Sequence, residues 1–182
     1  TASARHFPLS LMQPLFQQDI GLTGSMDADV VARAPYAGTS SATIGLRLSP
    51  GSVRHPARGE HQVQVDYDTA SATLQAKQGR AQSHLSVRLK NQGTLDASLA
   101  FPLNLSGTTA PADASMQGDI NASLHDLSPL ALFFPQLYQT RGSLDASWQV
   151  RGTLEHPRLS GQLALKDGNA DIPRLNIRLR DT

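Results

Sequence analysis

Strict alternation of apolar and polar residues is the feature that most constrains this chain. From Leu95 the odd positions read Leu95, Ala97, Leu99, Phe101, Leu103 and Leu105, and the even positions between them read Asp96, Ser98, Ala100, Pro102 and Asn104. Side chains of a strand point alternately to opposite faces, so this spacing makes one oily face and one wet face. The same two-residue period runs through Met26 and Val30; Ile44, Leu46 and Leu48; Val63, Val65 and Tyr67; and Leu85, Val87 and Leu89. It returns in Ile120, Ala122 and Leu124; in Leu144, Ala146, Trp148 and Val150; in Leu163 and Leu165; and in Ile177 and Leu179. Gln, Ser, Thr, Arg and Asp fill the intervening positions, as in an antiparallel sheet with one solvated side.

Turn signals separate the runs. Asp68 to Ala70, Asn91-Gln92-Gly93, Ser106-Gly107 and Asp167-Gly168 read as turns, the last because Asp-Gly tolerates the positive φ of a tight hairpin. Ser49 to Glu60 and Gly107 to Ala114 read as longer loops. Two stretches break the alternation and are expected to be short helices. Ser10-Leu11-Met12-Gln13 resembles a capping box before Leu15 and Phe16. Asp126-Leu127-Ser128-Pro129 offers a Ser cap and a Pro in the first turn before Leu130, Leu132, Phe133 and Phe134. Pro14 and Pro135 limit their length.

These stretches also open an internal repeat. Laying Leu9 on Leu127 aligns the chain without a gap through Arg33 on Arg151, with Gly24-Ser25-Met26-Asp27-Ala28 on Gly142-Ser143-Leu144-Asp145-Ala146. After a one-residue slip, Leu46, Leu48, Gly51 and Pro56 fall on Leu163, Leu165, Gly168 and Pro173. The expected organisation is a single repetitive β segment over 1–182, with copy one at about 9–56 and copy two at about 127–173. With no initiating Met and no signal peptide, it is expected to be a piece of a larger protein whose anchor or export signal lies outside it.

Sixteen Lys and Arg against fifteen Asp and Glu give a net charge of +1, so no basic surface is available to neutralise phosphates and no nucleic-acid partner is expected. The absence of Cys excludes disulfides and thiolate metal sites. The six His form no pair with the spacing of a mononuclear metal site; His55, Glu60 and His61 flank a Pro/Gly loop and read as solvated. There is no Gly-x-Ser-x-Gly elbow and no phosphate-cradling loop with its Lys. Asp27, Asp96 and Asp145 recur at wet positions, which suits solubility or register better than catalysis. No catalytic residue, cofactor or metal is expected.

A sheet with one apolar face must cover it. Aromatic residues are only 5 %, too few for the core of a typical sandwich, and no second set of strands reads as a lid. Folding the sheet lengthwise would let the face cover itself, leaving a trough. The fold expected is mainly β: an elongated, curved, antiparallel-rich sheet with an apolar concave face and one or two short helices. The lining assigned from the alternation is Met26, Val30, Ile44, Leu46, Leu48, Val63, Val65, Leu85, Val87, Leu89, Leu95, Leu99, Phe101, Ile120, Leu124, Leu144, Trp148, Val150, Leu163 and Leu165. Trp148 reads equally as core or as groove lining. Such an aliphatic surface suits acyl chains or another protein's apolar strand better than a polar metabolite.

The run from Gly142 to Pro173 resembles the TamB family of translocation and assembly module proteins. Its repeated element is a strand ending in Gly152-Thr153-Leu154, a turn with Pro157, then Leu159-Ser160-Gly161, a second strand and the Asp167-Gly168 hairpin; the helix proposed from Asp126 to Tyr138 also fits. The first copy diverges, with Ala34-Pro35-Tyr36 in place of Gly152-Thr153-Leu154. The resemblance implies a taco-shaped trough and a periplasmic segment of a protein anchored in the inner membrane. It also implies partnership with a TamA-like outer-membrane barrel protein, and a part in outer-membrane protein insertion and phospholipid transport. It carries no catalytic residues over. The function expected is therefore a hydrophobic conduit that shields phospholipid acyl chains or unfolded outer-membrane protein strands. The competing readings are a structural spacer or adhesin-like β repeat with a closed dry core and, more remotely, a carbohydrate-active or metal-dependent enzyme.

Overall fold

The regular runs of the alternation fall on strands, and every strand pairing among the described residues is antiparallel. The structure is a computed structural model describing residues 1–15, 20–35, 39–55, 63–103, 105, 114–127, 142–153, 155–167, 170–172 and 177–179. The elements are β1 (Ala2–Pro8), a 3-10 helix (Leu9–Leu15), β2 (Gly21–Leu22), β3 (Ser25–Arg33), β4 (Ser41–Leu48), β5 (Gly51–His55) and β6 (Val63–Lys77). They continue with β7 (Arg80–Leu89), β8 (Gly93–Pro102), β9 (Ser115–Leu124), β10 (Ser143–Thr153), β11 (Pro157–Lys166), β12 (Ala170–Ile172) and β13 (Ile177–Leu179). One eleven-stranded sheet runs in the order β1-β3-β4-β6-β7-β8-β9-β10-β11, with β2 beside β5 and β5 beside β6; β12 and β13 form a separate two-stranded ribbon. The large sheet is curved and unclosed; among the described residues its main path ends at β1 and β11, and its side branch ends at β2.

Directly paired residues share a face, so the register draws the apolar surface. One row crosses the sheet as Ala28, Leu46, Ala72, Leu85, Ala97, Ile120, Trp148 and Gly161. The next row reads Val30, Ile44, Leu74, Ser83, Leu99, Gly118, Val150 and Leu159. Ser83 is the polar intruder, and its hydroxyl donates to the Leu99 carbonyl at 3.3 Å. The hairpin turns carry the positive φ their tightness needs: Gln78 and Gly79 at 55° and 73°, and Asn91 at 58°.

Two sequence expectations change here. Asp68 to Ala70 is not a turn, because β6 runs unbroken from Val63 to Lys77. Part of the loop expected over Ser49 to Glu60 is strand β5. The reason is a crease. On β4 and β5 the apolar phase moves from even positions (Leu46, Leu48) to odd ones (Gly51, Val53), and on β6 it moves from Val65 and Tyr67 to Ala70 and Ala72. Both slips fall opposite each other, so Leu48 still faces Ala70 and Gly51 faces Tyr67 without loss of register. On the β7 side, β6 bulges between Tyr67 and Thr69. Pro50, which cannot donate to a ladder, sits at the crease. Hydroxyls add to the backbone bonds there, such as the Ser49 amide to the Ser25 carbonyl at 2.9 Å. The Ser52 amide donates to Thr23 Oγ1 at 2.8 Å, Ser25 Oγ donates to Ser49 Oγ at 3.0 Å, and the buried Tyr67 hydroxyl donates to the Thr23 carbonyl at 2.8 Å. Burial pushes the Tyr67 phenol upward.

The first expected helix is a 3-10 helix, Leu9–Leu15, which begins just after Pro8 and contains Pro14 in its last turn. The second expected helix, from Asp126 to Tyr138, falls almost wholly outside the described residues. Leu9 and Leu127, which the repeat superposes, are both buried within three residues of a strand end. The superposed Gly24 and Gly142 have φ of 104° and 115°. Met26 faces Leu48 while Leu144 faces Leu165, so the strand pairs β3–β4 and β10–β11 share one register under the alignment and its slip.

Edge strand β1 is interrupted by a bulge between Ala4 and Phe7, where His6 takes a φ of 50°. The Asp27 carboxylate accepts the His6 amide at 2.7 Å. This hydrogen bond, with smaller help from the charges of His6, Arg5 and Arg47, lowers the Asp27 pKa against a small desolvation penalty. A lowered folded-state pKa gives stabilisation that is complete above the ordinary carboxylate range and is lost as pH falls through the lowered value. Protection of the His6 amide should therefore persist while exposed carboxylates titrate, then disappear at more acid pH. NMR exchange measurements down the acid range test this, and loss of protection in step with ordinary carboxylates would refute it.

Candidate functional site: an apolar groove

The apolar face does not lie open and flat. A groove of about 720 Å³ is lined by Ile44, Leu46, Ala72, Leu74, Leu85, Ala97, Leu99, Met116, Ile120, Val150, Pro157 and Leu159. β4 and β11 are six strand steps apart in the sheet order, which on a flat sheet would separate them by about 29 Å. Side chains of both strands line one groove, so the sheet curls over its apolar face. His84 also borders it, but its register places its side chain on the opposite face, between Thr73 and Ser98. No acidic residue lines the groove.

The lining is incompletely buried. Leu46 and Leu85 are each 38 % exposed and Leu159 is 65 % exposed, far from the state of a closed core. At one end, Leu124, Leu127 and Leu144 form a buried cluster with Leu89 and Leu165 packed against it. Leu127 is 0 % exposed and plugs this end.

Of the residues assigned from the sequence, Ile44, Leu46, Leu85, Leu99, Ile120 and Val150 lie in the groove. Met26, Leu48, Val87, Leu95 and Leu163 form the adjacent apolar row, and Val30 extends the Ile44 row toward β1. Leu89, Leu124, Leu144 and Leu165 belong to the end cluster, and Val65 is buried beyond the crease. Phe101 borders a separate hollow of about 150 Å³ with Arg80 and Met116. Trp148 faces Gly161, where a side chain would bring Cβ to 2.6 Å from the indole Cδ1, so the missing side chain makes room for the ring. Val63 is on β6, with its side chain outside the described set. His55, Glu60 and His61 likewise lie outside the described side chains.

Sequence reasoning missed Ala72, Leu74, Ala97, Met116, Pro157 and Leu159 as lining. The alternation from Ala70 to Ala76 was legible, but Ala is a weak apolar marker. The Gln78-Gly79 turn was the available signal that this stretch ended in a hairpin.

The opposite face carries a polar depression of about 580 Å³ that includes Gln75, Gln82, His84, Asp119, Gln149 and Arg151. A twisted sheet is saddle-shaped, so each face is concave along one diagonal. Polar side chains there bond across strands, as Ser147 Oγ does to Asn121 Oδ1 and Ser123 Oγ to Asp145 Oδ1, both at 2.8 Å. No helix among the described residues is long and apolar enough to cross a membrane.

The family described as TamB, N-terminal domain, matches residues 1–165, taking in both the first copy and most of the second. No curated protein and no solved structure matches the chain. TamB proteins belong to the cell envelope and associate with TamA in outer-membrane assembly. The curved, unclosed antiparallel sheet agrees with the resemblance carried by Gly142 to Pro173, and the match extends it across nearly the whole sequence: the chain belongs to the TamB family.

Proposed function

We propose that the chain is a section of a periplasmic hydrophobic conduit, within a protein anchored in the inner membrane, that shields phospholipid acyl chains from water during outer-membrane biogenesis. The observation that carries this reading is the groove between β4 and β11, lined mainly by apolar side chains with Ser83 as the polar exception on that face, and still partly open. An acyl chain lying there would exchange water for Leu and Ile side chains, at roughly 0.8 kcal/mol per buried CH₂. The lining has no directional polar groups to discriminate among acyl chains, since the Ser83 hydroxyl is already bonded to the Leu99 carbonyl. The half-exposed Leu46 and Leu85 weigh against a spacer with a dry core. An unfolded outer-membrane protein strand is the second candidate cargo, because the same apolar lining suits the oily face of a strand. The TamA-like barrel would act as partner through the parent protein, and the chain itself would be a carrier, not an enzyme.

A photoreactive phospholipid in vesicles tests the reading. It should label photo-accessible positions at Leu85, Leu99 or Ile120, with a yield insensitive to salt because no charge is involved. Labelling confined to wet-face positions such as Arg88 or Asp145 would refute it.

A further inference from the structure

We infer that the hairpin end of the sheet, opposite the Leu127 cluster, docks on the anionic headgroups of a phospholipid bilayer. The choice of ligand rests on the groove reading, but docking is measured apart from it. The balanced composition conceals a segregation of charge along the strands. Where β3 and β6 end and β7 begins, the wet face carries Arg33, Lys77 and Arg80, joined in one cross-strand row through Ser41. The next wet row runs from Gln75 through Gln82 and Gln117 to Arg151 and Arg158. Neither row holds an Asp or Glu, and Glu155 in the β10–β11 turn is the one carboxylate among the described residues at this end. The two wet rows that follow toward the Leu127 end reverse the balance. They hold Asp27, Asp29, Asp96 and Asp119 against Arg47, and Arg5 of β1 reaches in to Asp29. The expectation that no basic surface is available holds for the total charge and not for this end of the sheet.

The arrangement opposes stability. Lys77 lies directly opposite Arg80, and Arg151 directly opposite Arg158. Like charges so placed destabilise a sheet. No carboxylate relieves them: the ion pairs among the described residues are Arg5–Asp29, His6–Asp27 and Lys166–Asp145. Arg151 Nη2 donates to the neutral Gln149 Oε1 at 3.2 Å. All five cations are exposed. An anion from outside would lift the repulsion.

The groove decides which anion. Met116 and Pro157, which line it, stand on the apolar face between the two basic rows, and Pro157 and Leu159 flank Arg158 along β11. Apolar lining and positive charge thus alternate along the same strand ends. Long Lys and Arg stems let the charges reach round the rim. A phospholipid carries the matching pair of chemistries in one molecule, a phosphate joined to acyl chains. A nucleic acid offers phosphates but nothing for the apolar rim. Each Lys or Arg near an anionic leaflet raises affinity severalfold. The hairpin end is then the side from which a lipid enters or leaves the groove.

The test is co-sedimentation of the 182-residue chain with vesicles of phosphatidylglycerol and phosphatidylcholine in equal parts, and of phosphatidylcholine alone. Anionic vesicles should bind about tenfold more tightly or better, and the excess should vanish at high salt. Lys77→Gln with Arg80→Gln should weaken anionic binding by about tenfold. Arg47→Gln with Arg88→Gln removes equal charge from elsewhere on the wet face and should change binding by less than about twofold. Circular dichroism checks that both double variants keep their sheet. No preference for phosphatidylglycerol, equal losses in the two double variants, or tighter binding of duplex DNA than of anionic vesicles overturns the proposal. Groove labelling from phosphatidylcholine vesicles, which needs no charge, separates the two readings. A chain labelled there but indifferent to phosphatidylglycerol keeps the groove and loses the docking surface. A chain that docks on anionic vesicles but takes no label does the reverse.

Discussion

Replacing Leu85 or Leu99 with Asp should abolish lipid capture while leaving the sheet folded. Leu85 is 38 % exposed and lies in the row between Ala72 and Ala97. In the empty groove, water reaches a carboxylate at this position and solvates it. Only an acyl chain lying over the carboxylate would strip that water away, and burying an unpaired charge costs several kcal/mol. The penalty thus falls on the occupied state, and photo-labelling by a phospholipid should drop by about tenfold or more. Circular dichroism should remain that of a β-sheet. Full labelling of a folded variant would refute the conduit. Replacement by Arg should give a smaller defect, because its long stem lets the charge reach the rim.

The second large effect is expected at the closed end. Leu127→Ala removes the fully buried side chain that packs among Leu124 and Leu144, with Leu89 and Leu165 around them. The lost transfer energy and the cavity together cost about 3 kcal/mol, or roughly 6–12 °C in Tm for a chain of this size. Leu159→Ala, at a side chain 65 % exposed on the edge strand, should cost less than about 1 kcal/mol. Thermal melts of both variants decide the matter. Equal losses would mean that the end cluster is not a dry plug and that the trough is held together in another way.

Much of the architecture was legible in the alternation. Leu95, Leu99 and Phe101 announced strand β8, and Asn91-Gln92-Gly93 its preceding turn, because the period of two and the demand for positive φ are local properties. The repeat was legible too, down to the one-residue slip that the β3–β4 and β10–β11 registers reproduce. Asp68 to Ala70 misled for an equally physical reason. A bulge and a turn draw on similar residues, and only the partner strand distinguishes them: here Ser49 and Pro50 slip in phase with Asp68 and Thr69. Leu9–Leu15 is a 3-10 helix, and Pro14 within it has no N–H to give an α-helical bond.

The sequence by itself determined which residues share a face, because strand geometry sends neighbouring side chains to opposite sides whatever the rest of the chain does. It determined equally that the apolar face would be aliphatic and nearly free of charge. Only the tertiary structure decided that Ile44 and Leu46 would meet Val150 and Leu159 around one groove, and that Leu127 would be buried with Leu124 and Leu144. Curl is the sum of twist, bulge and crease over many strand pairs. Each contributes a small angle set by its partner, and no local pattern of residues encodes their total.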